Sequence, residues 1–539
     1  MTFLAKKQIF SLALAIGSIA NLRAQESDHT KTVASSEYQW HHGDASKDGV
    51  IGISSTKAYE ELLINKKSSK VVVAIIDSGT ETFHPDLAPR IWTNTDEIGG
   101  NNVDDDKNGY IDDVHGWSFI GGKGGDVDAD LLEFTRIYKG LNARFSNKEA
   151  ASISDADKKD FERYQNMKVD YEKRIGKAKE EQAQVFGLKI FYETANAAMT
   201  KKLGISPLTM EALEAYSPAD DSEKQYREFL MICISEDLMG QMGEWEKHVN
   251  DQLNYQLSLD FDPRSMVGDD YSNPNERIYG NNHIDGPSAD HGTHVAGIVG
   301  AARNGFGVDG IADNVELMVI RCVPDGDERD KDVANAIRYA TDNGARVINM
   351  SFGKSFSPEK FVVDEAVRYA ESKGVLLVHA AGNDSKNIDE EANFPTKFYE
   401  NKKACSTWIE VGASGPQLNT LPAPFSNYGK KEVDVFAPGV DIYATVPGNK
   451  YQNNSGTSMA APVTAGIAAA LFSYYPELTA KDVKAIILKS SVKYKKTEVV
   501  MPGDDTKLIK FKELSATGGV VNLYNALQMA STWKPKSAK

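Results

Sequence analysis

Six apolar residues run without a break through Val71-Val72-Val73-Ala74-Ile75-Ile76 and straight into Asp77-Ser78-Gly79. A strand with one wet face alternates apolar and polar residues, so an unbroken β-branched run is covered on both faces. Similar runs recur at residues 317–320, 347–350, 375–378 and 409–411. Helical patterns separate them, notably Val333, Ala334, Ala336, Ile337 and Ala340, then residues 361–370 ahead of Gly374. Strand, helix, strand, helix in that rhythm predicts an α/β fold, a doubly wound and mostly parallel sheet. Such sheets carry function in the loops at the carboxyl ends of their strands.

One region breaks the rhythm. Residues 126–262 hold no clear buried strand, and no proline lies between Arg90 and Ser206. Phe161, Tyr164, Met167, Tyr171, Ile175 and Ala178 recur every three or four residues, as do Met242, Trp245, Val249, Leu253 and Leu257. Both stretches predict long amphipathic helices whose stripes are packing faces. The expected organisation is therefore a sheet domain over 40–125 and 263–532, interrupted by a long helical insertion over 126–262. The insertion either borders the cleft, since both its ends emerge near the loops that carry chemistry, or is a remote decoration.

The first residues read as an export signal. Lys6 and Lys7 precede a short apolar run over 9–20, and small residues follow near Ala24, so residues 1–24 are expected to be removed. A polar segment over 25–39 follows, and 533–539 is a frayed tail. No later run of 18 apolar residues occurs, so no stable membrane span is expected after signal removal, and the mature protein is expected to be periplasmic or extracellular. With 61 Lys+Arg against 77 Asp+Glu the net charge is −16, which argues against a nucleic-acid partner. Three cysteines, Cys233, Cys322 and Cys405, build no disulfide framework and read as buried apolar residues.

Three segments carry reactive groups at element ends: Asp77 after the first strand, Asp290-His291-Gly292-Thr293-His294 before a small-residue helix, and Ser455-Gly456-Thr457-Ser458-Met459-Ala460 opening another. Serine hydrolysis needs a hydroxyl, an imidazole to take its proton and a carboxylate to orient that imidazole. Asp77, His291 and Ser458 supply the three. Ser458 at a helix start also offers a free backbone N–H to an oxyanion. Alone, the Asp would be a loop former and the Ser an N-cap. His291 and His294 would make half a metal site, but no further ligand cluster accompanies them. The Ser segment is not a Gly-x-Ser-x-Gly elbow, because Ala460 stands where the second Gly belongs.

These three segments, in the order Asp, His, Ser, resemble those of the subtilisin-like serine proteases (subtilases, peptidase family S8). Ala380-Ala381-Gly382-Asn383 resembles the family's oxyanion segment, and Asn349-Met350-Ser351-Phe352-Gly353 the strand lining its substrate cleft. Gly518-Gly519-Val520-Val521-Asn522 is similar to its usual ending. The resemblance implies a serine endopeptidase acting on polypeptides. Ser458 would be nucleophile, His291 general base and then acid, Asp77 the orienting carboxylate, and Asn383 an oxyanion donor with the Ser458 N–H. Substrate backbone would lie along Ser351, Phe352 and Gly353, near Ala381 and Gly382. The chain departs from the family where His291 lies far from Asp77, with the insertion between, and where Lys354 takes a position at which a second Gly is frequent. Residues 25–40 are also short for a folded inhibitory pro-segment.

An acidic loop stands apart. Asp104, Asp106, Asn108 and Asp112 fall at alternate positions around Gly109, as at the start of an EF-hand. His115 occupies the twelfth position, where Glu is required, so a full EF-hand is excluded. Asp104, Asp106, Asn108, the Tyr110 carbonyl and Asp112 are the expected ligands of a structural calcium ion, which would relieve the repulsion among clustered carboxylates.

Overall fold

The computed structural model describes residues 39–534. The expected signal segment, the polar segment up to residue 38 and the tail from 535 lie outside the described residues. By contacts the chain divides into two compact units, one of residues 129–262 and one containing residues 39–128 and 263–534. The division falls at 129 rather than the expected 126. Asp126 and Asp128 remain with the sheet unit, where Asp126 accepts from Asn281 Nδ2 at 2.9 Å and Asp128 from Ser288 Oγ at 2.6 Å.

The sheet unit has strands β1 (Val71–Asp77), β2 (Gly116–Ser118), β3 (Val315–Arg321), β4 (Val347–Met350), β5 (Leu376–Ala380), β6 (Trp408–Ser414), β7 (Val435–Pro438), β8 (Ile442–Val446), β9 (Lys450–Asn454), β10 (Val492–Lys493), β11 (Glu498–Met501), β12 (Asp504–Lys510) and β13 (Gly519–Val520). Nine of them form one sheet in the order β10-β13-β7-β6-β5-β4-β1-β3-β2, parallel except for the β10–β13 pair. The pairs β8–β9 and β11–β12 are antiparallel hairpins outside it, as is the short pair Gly121–Gly122 with Gly125–Asp126.

The helices of eight residues or more, in chain order, are α1 (Glu133–Phe145), α2 (Lys158–Leu203), α3 (Asp221–Ser235) and α4 (Leu238–Asp251) in the insertion. The sheet unit carries α5 (Asp290–Gly300), α6 (Asp330–Asp342), α7 (Lys360–Ser372), α8 (Thr457–Tyr474), α9 (Ala480–Ser490) and α10 (Leu523–Ala530). The strand period of two explains why helices cover both faces. Val73 and Ile75 of β1 point into a core built with α5 and α8. Ala74 and Ile76 point into the opposite core with Val333, Ile337, Val363 and Val367 of α6 and α7. The helix α8 is long and apolar enough to cross a membrane, but it is buried in the sheet unit as a core helix.

Within the insertion, the proline-free stretch forms the 46-residue helix α2, about 69 Å long at 1.5 Å per residue. Tyr138 of α1 stacks on Tyr171 of α2 with centroids 4.6 Å apart, and Phe191 meets Phe229 of α3 at 4.9 Å. Leu188, Cys233, Leu238 and Met242 close a second small core. The predicted stripes are thus packing faces. All three cysteines are buried and unpaired.

Candidate active site

Sheet order reverses at β1: the chain goes on to β2 and β3 on one side, then to β4 through β7 on the other. Loops leaving β3 and β4 therefore part above the end of β1, the kind of crevice in which open α/β sheets place their ligands. Asp77, the last residue of β1, lies in that crevice, only 2% exposed.

Asp77 Oδ1 is 2.7 Å from His291 Nδ1 and also accepts from the Ser78 N–H at 2.8 Å. That partner fixes the ring so that Nε2 is the nitrogen left to accept a proton. Burial disfavours charge on His291, but the Asp77 charge and hydrogen bond outweigh it and raise its pKa above 6.5. Close approach of the two elements depends on Gly292. A Cβ there would lie 2.0 Å from the Gly79 carbonyl oxygen and 3.1 Å from Asp77 Cβ.

Ser458 is the second residue of α8, where backbone N–H groups lack intrahelical acceptors. Asn383 Oδ1 accepts from Thr457 N and Thr457 Oγ1, both at 2.9 Å, so its amide NH2 turns the other way. A Cβ on Gly456 would lie 3.4 Å from Asn383 Nδ2 and 3.6 Å from Ser458 N. Two donors thus flank one small space beside the serine, kept open because residue 456 is glycine. The Ser458 hydroxyl donates to the Ser351 carbonyl at 3.0 Å, and Ser351 Oγ donates to the Ser458 carbonyl at 2.8 Å. In this rotamer the hydroxyl is parked on Ser351 rather than on His291.

Ser351, Phe352 and Gly353 follow β4 directly and belong to no helix or strand. Gly353 is hemmed by Asn393, whose amide would lie 2.6 Å from a Cβ there. The Gly382 N–H donates to Thr457 Oγ1 at 3.0 Å and the Ala381 N–H to the Val411 carbonyl, so these two residues tie the Asn383 loop to α8 and β6. His294, in contrast, sits fully buried with Nε2 3.1 Å from the Gln452 carbonyl, and burial lowers its pKa to about 4. It packs the core and does not join His291 in a metal pair.

The acidic loop is arranged differently from its sequence expectation. Asp112 spends both oxygens on the N–H groups of Gly100, Asn101 and Asn102, and Asp104 spends its pair on those of Asn108 and Gly109. Of the expected carboxylate ligands, Asp106 alone joins the cluster formed with Glu97 and Asp113, the carboxylate oxygens lying within 4.8 Å of one another. Asn108 Nδ2 donates to Asp106 and Asp113, and the Tyr110 N–H to Asn108 Oδ1, so both residues brace the loop. Glu97, which lies outside the EF-hand spacing, accepts from the N–H groups of Asp105, Asp106 and Asp112. Two other residues near the crevice carried no signal: His379, whose Nδ1 is 2.9 Å from buried Glu410, and the depth of Lys354, only 4% exposed.

A family model described as the Subtilase family matches residues 68–518. The chain is 45% identical over 185 residues to a Thermophilic serine proteinase of Bacillus sp. (strain AK1), covering 34% of this chain and 42% of that protein. It is 40% identical over 196 residues to Subtilisin DY of Bacillus licheniformis, covering 36% of this chain and 67% of that protein. A Thermostable alkaline protease of Halalkalibacterium halodurans is 36% identical over 195 residues, covering 36% of this chain and half of that protein's length.

Proposed function

The chain belongs to the subtilase family, and from that premise we propose that it is an exported serine endopeptidase working through an acyl-enzyme on Ser458. The observation that supports the reading most is the Asp77–His291 pair at 2.7 Å at the end of β1, and a helix-start serine whose N–H and the Asn383 amide flank one space adds to it. In the reaction His291 Nε2 takes the Ser458 proton as Oγ attacks the peptide carbonyl, and later gives it to the leaving amine. Asp77 orients the ring through Nδ1 and stabilises the imidazolium. The Asn383 amide and Ser458 N–H hold the oxyanion, and the backbone at Ser351–Gly353 pairs with the substrate main chain as an added strand. Export is supported by Lys6 and Lys7 ahead of the apolar run over 9–20.

Calcium fits a hard, oxygen-only donor set. Glu97, Asp106 and Asp113 would hold it, and the ion would offset the repulsion that their proximity creates. Its contribution is to stability, since none of the three belongs to the triad or the Asn383 loop.

Variants at the two oxyanion-side residues test the assignment. Ser458→Ala is expected to lose on the order of 10⁶ in kcat on a peptide substrate. Asn383→Ala removes one donor and is expected to lose about 10²–10³. Equal losses in the two variants would contradict the role given to Asn383, and a fully active Ser458→Ala would contradict the mechanism.

A further inference from the structure

The crevice above β1 is bounded by residues 322–329 after β3 and residues 351–359 after β4, and a buried lysine crosses it. Lys354 Nζ donates to the Glu328 carbonyl at 2.7 Å and pairs with Asp330 Oδ1 at 2.9 Å. Asp330 also accepts from Ser357 Oγ at 2.9 Å and the Glu359 N–H at 2.8 Å. Both crevice walls are therefore fastened to the first residue of α6. Lys354 stands three residues from Ser351, whose hydrogen bonds reach Ser458.

The next two residues of that helix turn face elsewhere, since successive helical side chains diverge by about 100° at 3.6 residues per turn. Lys331, with no side-chain exposure, gives its three protons to Asp269 at 2.7 Å, Glu276 at 2.7 Å and the Asp270 carbonyl at 2.8 Å. Asp332 holds Arg264 through two bonds of 2.7 and 2.8 Å, and Arg264 grips Asp269 at 2.6 and 2.7 Å. The Tyr279 hydroxyl completes the network on Asp332 at 2.6 Å. Residues 264–276 are the stretch by which the chain re-enters the sheet unit after the insertion. Three consecutive buried charges thus join the crevice walls on one side to the insertion's root on the other. Buried charges are costly, and a network of this kind fixes geometry better than it adds stability.

We infer that Lys354 and Asp330 are positioning residues that hold the two walls of the substrate groove at their separation, and that α6's first turn couples this separation to the insertion's root. The inference rests on the peptidase reading above. Extended substrates that reach along the groove depend on the brace; the chemistry at Ser458 does not.

The test compares a chromogenic hexapeptide, a single-residue ester and a fluorophosphonate label on the full-length protein. For Lys354→Met, KM for the hexapeptide is expected to rise about tenfold, equivalent to 1.4 kcal/mol, while kcat, ester turnover and labelling rate stay within about twofold. Lys354→Arg keeps the charge and is expected to restore KM to within about threefold. Asp332→Asn preserves shape and the Tyr279 bond, and is expected to raise hexapeptide KM in the same direction. In the Lys354→Met, Asp332→Asn double variant the two effects should combine to less than their product, the signature of a shared network. Should Lys354→Met not fold, Asp330→Asn carries the same expectation. An unchanged hexapeptide KM, an ester loss in proportion, or independent multiplication would overturn the inference. An unmodified, folded protein that takes no label would overturn the peptidase reading, and the inference with it.

Discussion

At the scale of single residues, the raised pKa of His291 has a kinetic consequence. The base must be neutral to accept the Ser458 proton, so kcat/KM should climb with pH through a midpoint above the ordinary 6.5. Asp77→Asn removes the charge that raises it, and should shift that midpoint downward while cutting kcat by on the order of 10⁴. A pH–rate profile on both proteins checks this, and a midpoint at or below 6.5 in the unmodified protein contradicts it. The proposed site residues stood out in the sequence because each sits in a short motif, and at His291 the structure supplies a reason for the motif: Gly292 permits the close approach to Gly79 and Asp77. Lys354 and His379 were illegible because their partners, Asp330 and Glu410, lie tens of positions away with no spacing rule joining them.

At the scale of elements, the start of α5 should be intolerant of a single methyl. Gly292→Ala forces the helix from Gly79 and Asp77, and a displacement of about 1 Å in His291 should cost around 10² in kcat/KM with folding retained. Kinetics and circular dichroism on that variant separate the two effects. A second expectation concerns Trp40–His42, a helical turn at the edge of the same core. His41, His42 and His294 are buried; desolvation is the leading cause holding all three below 6.5, His41 at about 3 and His294 at about 4, with Arg303 adding to it for His41 and His42. His42 Nδ1 meets Ser55 Oγ and its Nε2 the Asp309 carbonyl at 2.8 Å. These folded pKa values lie below the unfolded one, so the unfolded chain binds more protons in acid. Their stabilisation is complete above pH 6.5 and withdrawn as pH falls towards 4 and 3. Melting curves should show Tm dropping over that window, less steeply in His41→Gln; a flat Tm would contradict it. The strands were foreseeable because a doubly covered strand has an unmistakable run of apolar residues. Their edges were not: β3 begins at Val315 and β6 runs from Trp408 to Ser414, since backbone pairing with neighbours, not hydrophobicity, ends a strand.

At the scale of the whole molecule, stability should depend on calcium while chemistry does not. Saturating calcium is expected to stabilise the fold by on the order of 2–4 kcal/mol, and a chelator to lower Tm correspondingly. Asp113→Asn should abolish that increment without changing the rate of acylation; a calcium-independent Tm would count against the site. The alternating aspartates marked the loop in which the Asp106 and Asp113 carboxylates gather, whereas Glu97 lies upstream of that spacing and could not be read from it. The insertion's helices were legible from their stripes, and its exact start was not, because Asp126 and Asp128 look like loop residues until their partners Asn281 and Ser288 are known. The central claim is that Asp77, His291 and Ser458 form one working nucleophile. Fluorophosphonate labelling of the folded, calcium-supplied protein, mapped by peptide mass spectrometry, tests it most directly. A single adduct on Ser458 is expected, and its loss in His291→Ala. An adduct on another residue, or equal labelling without His291, would contradict it.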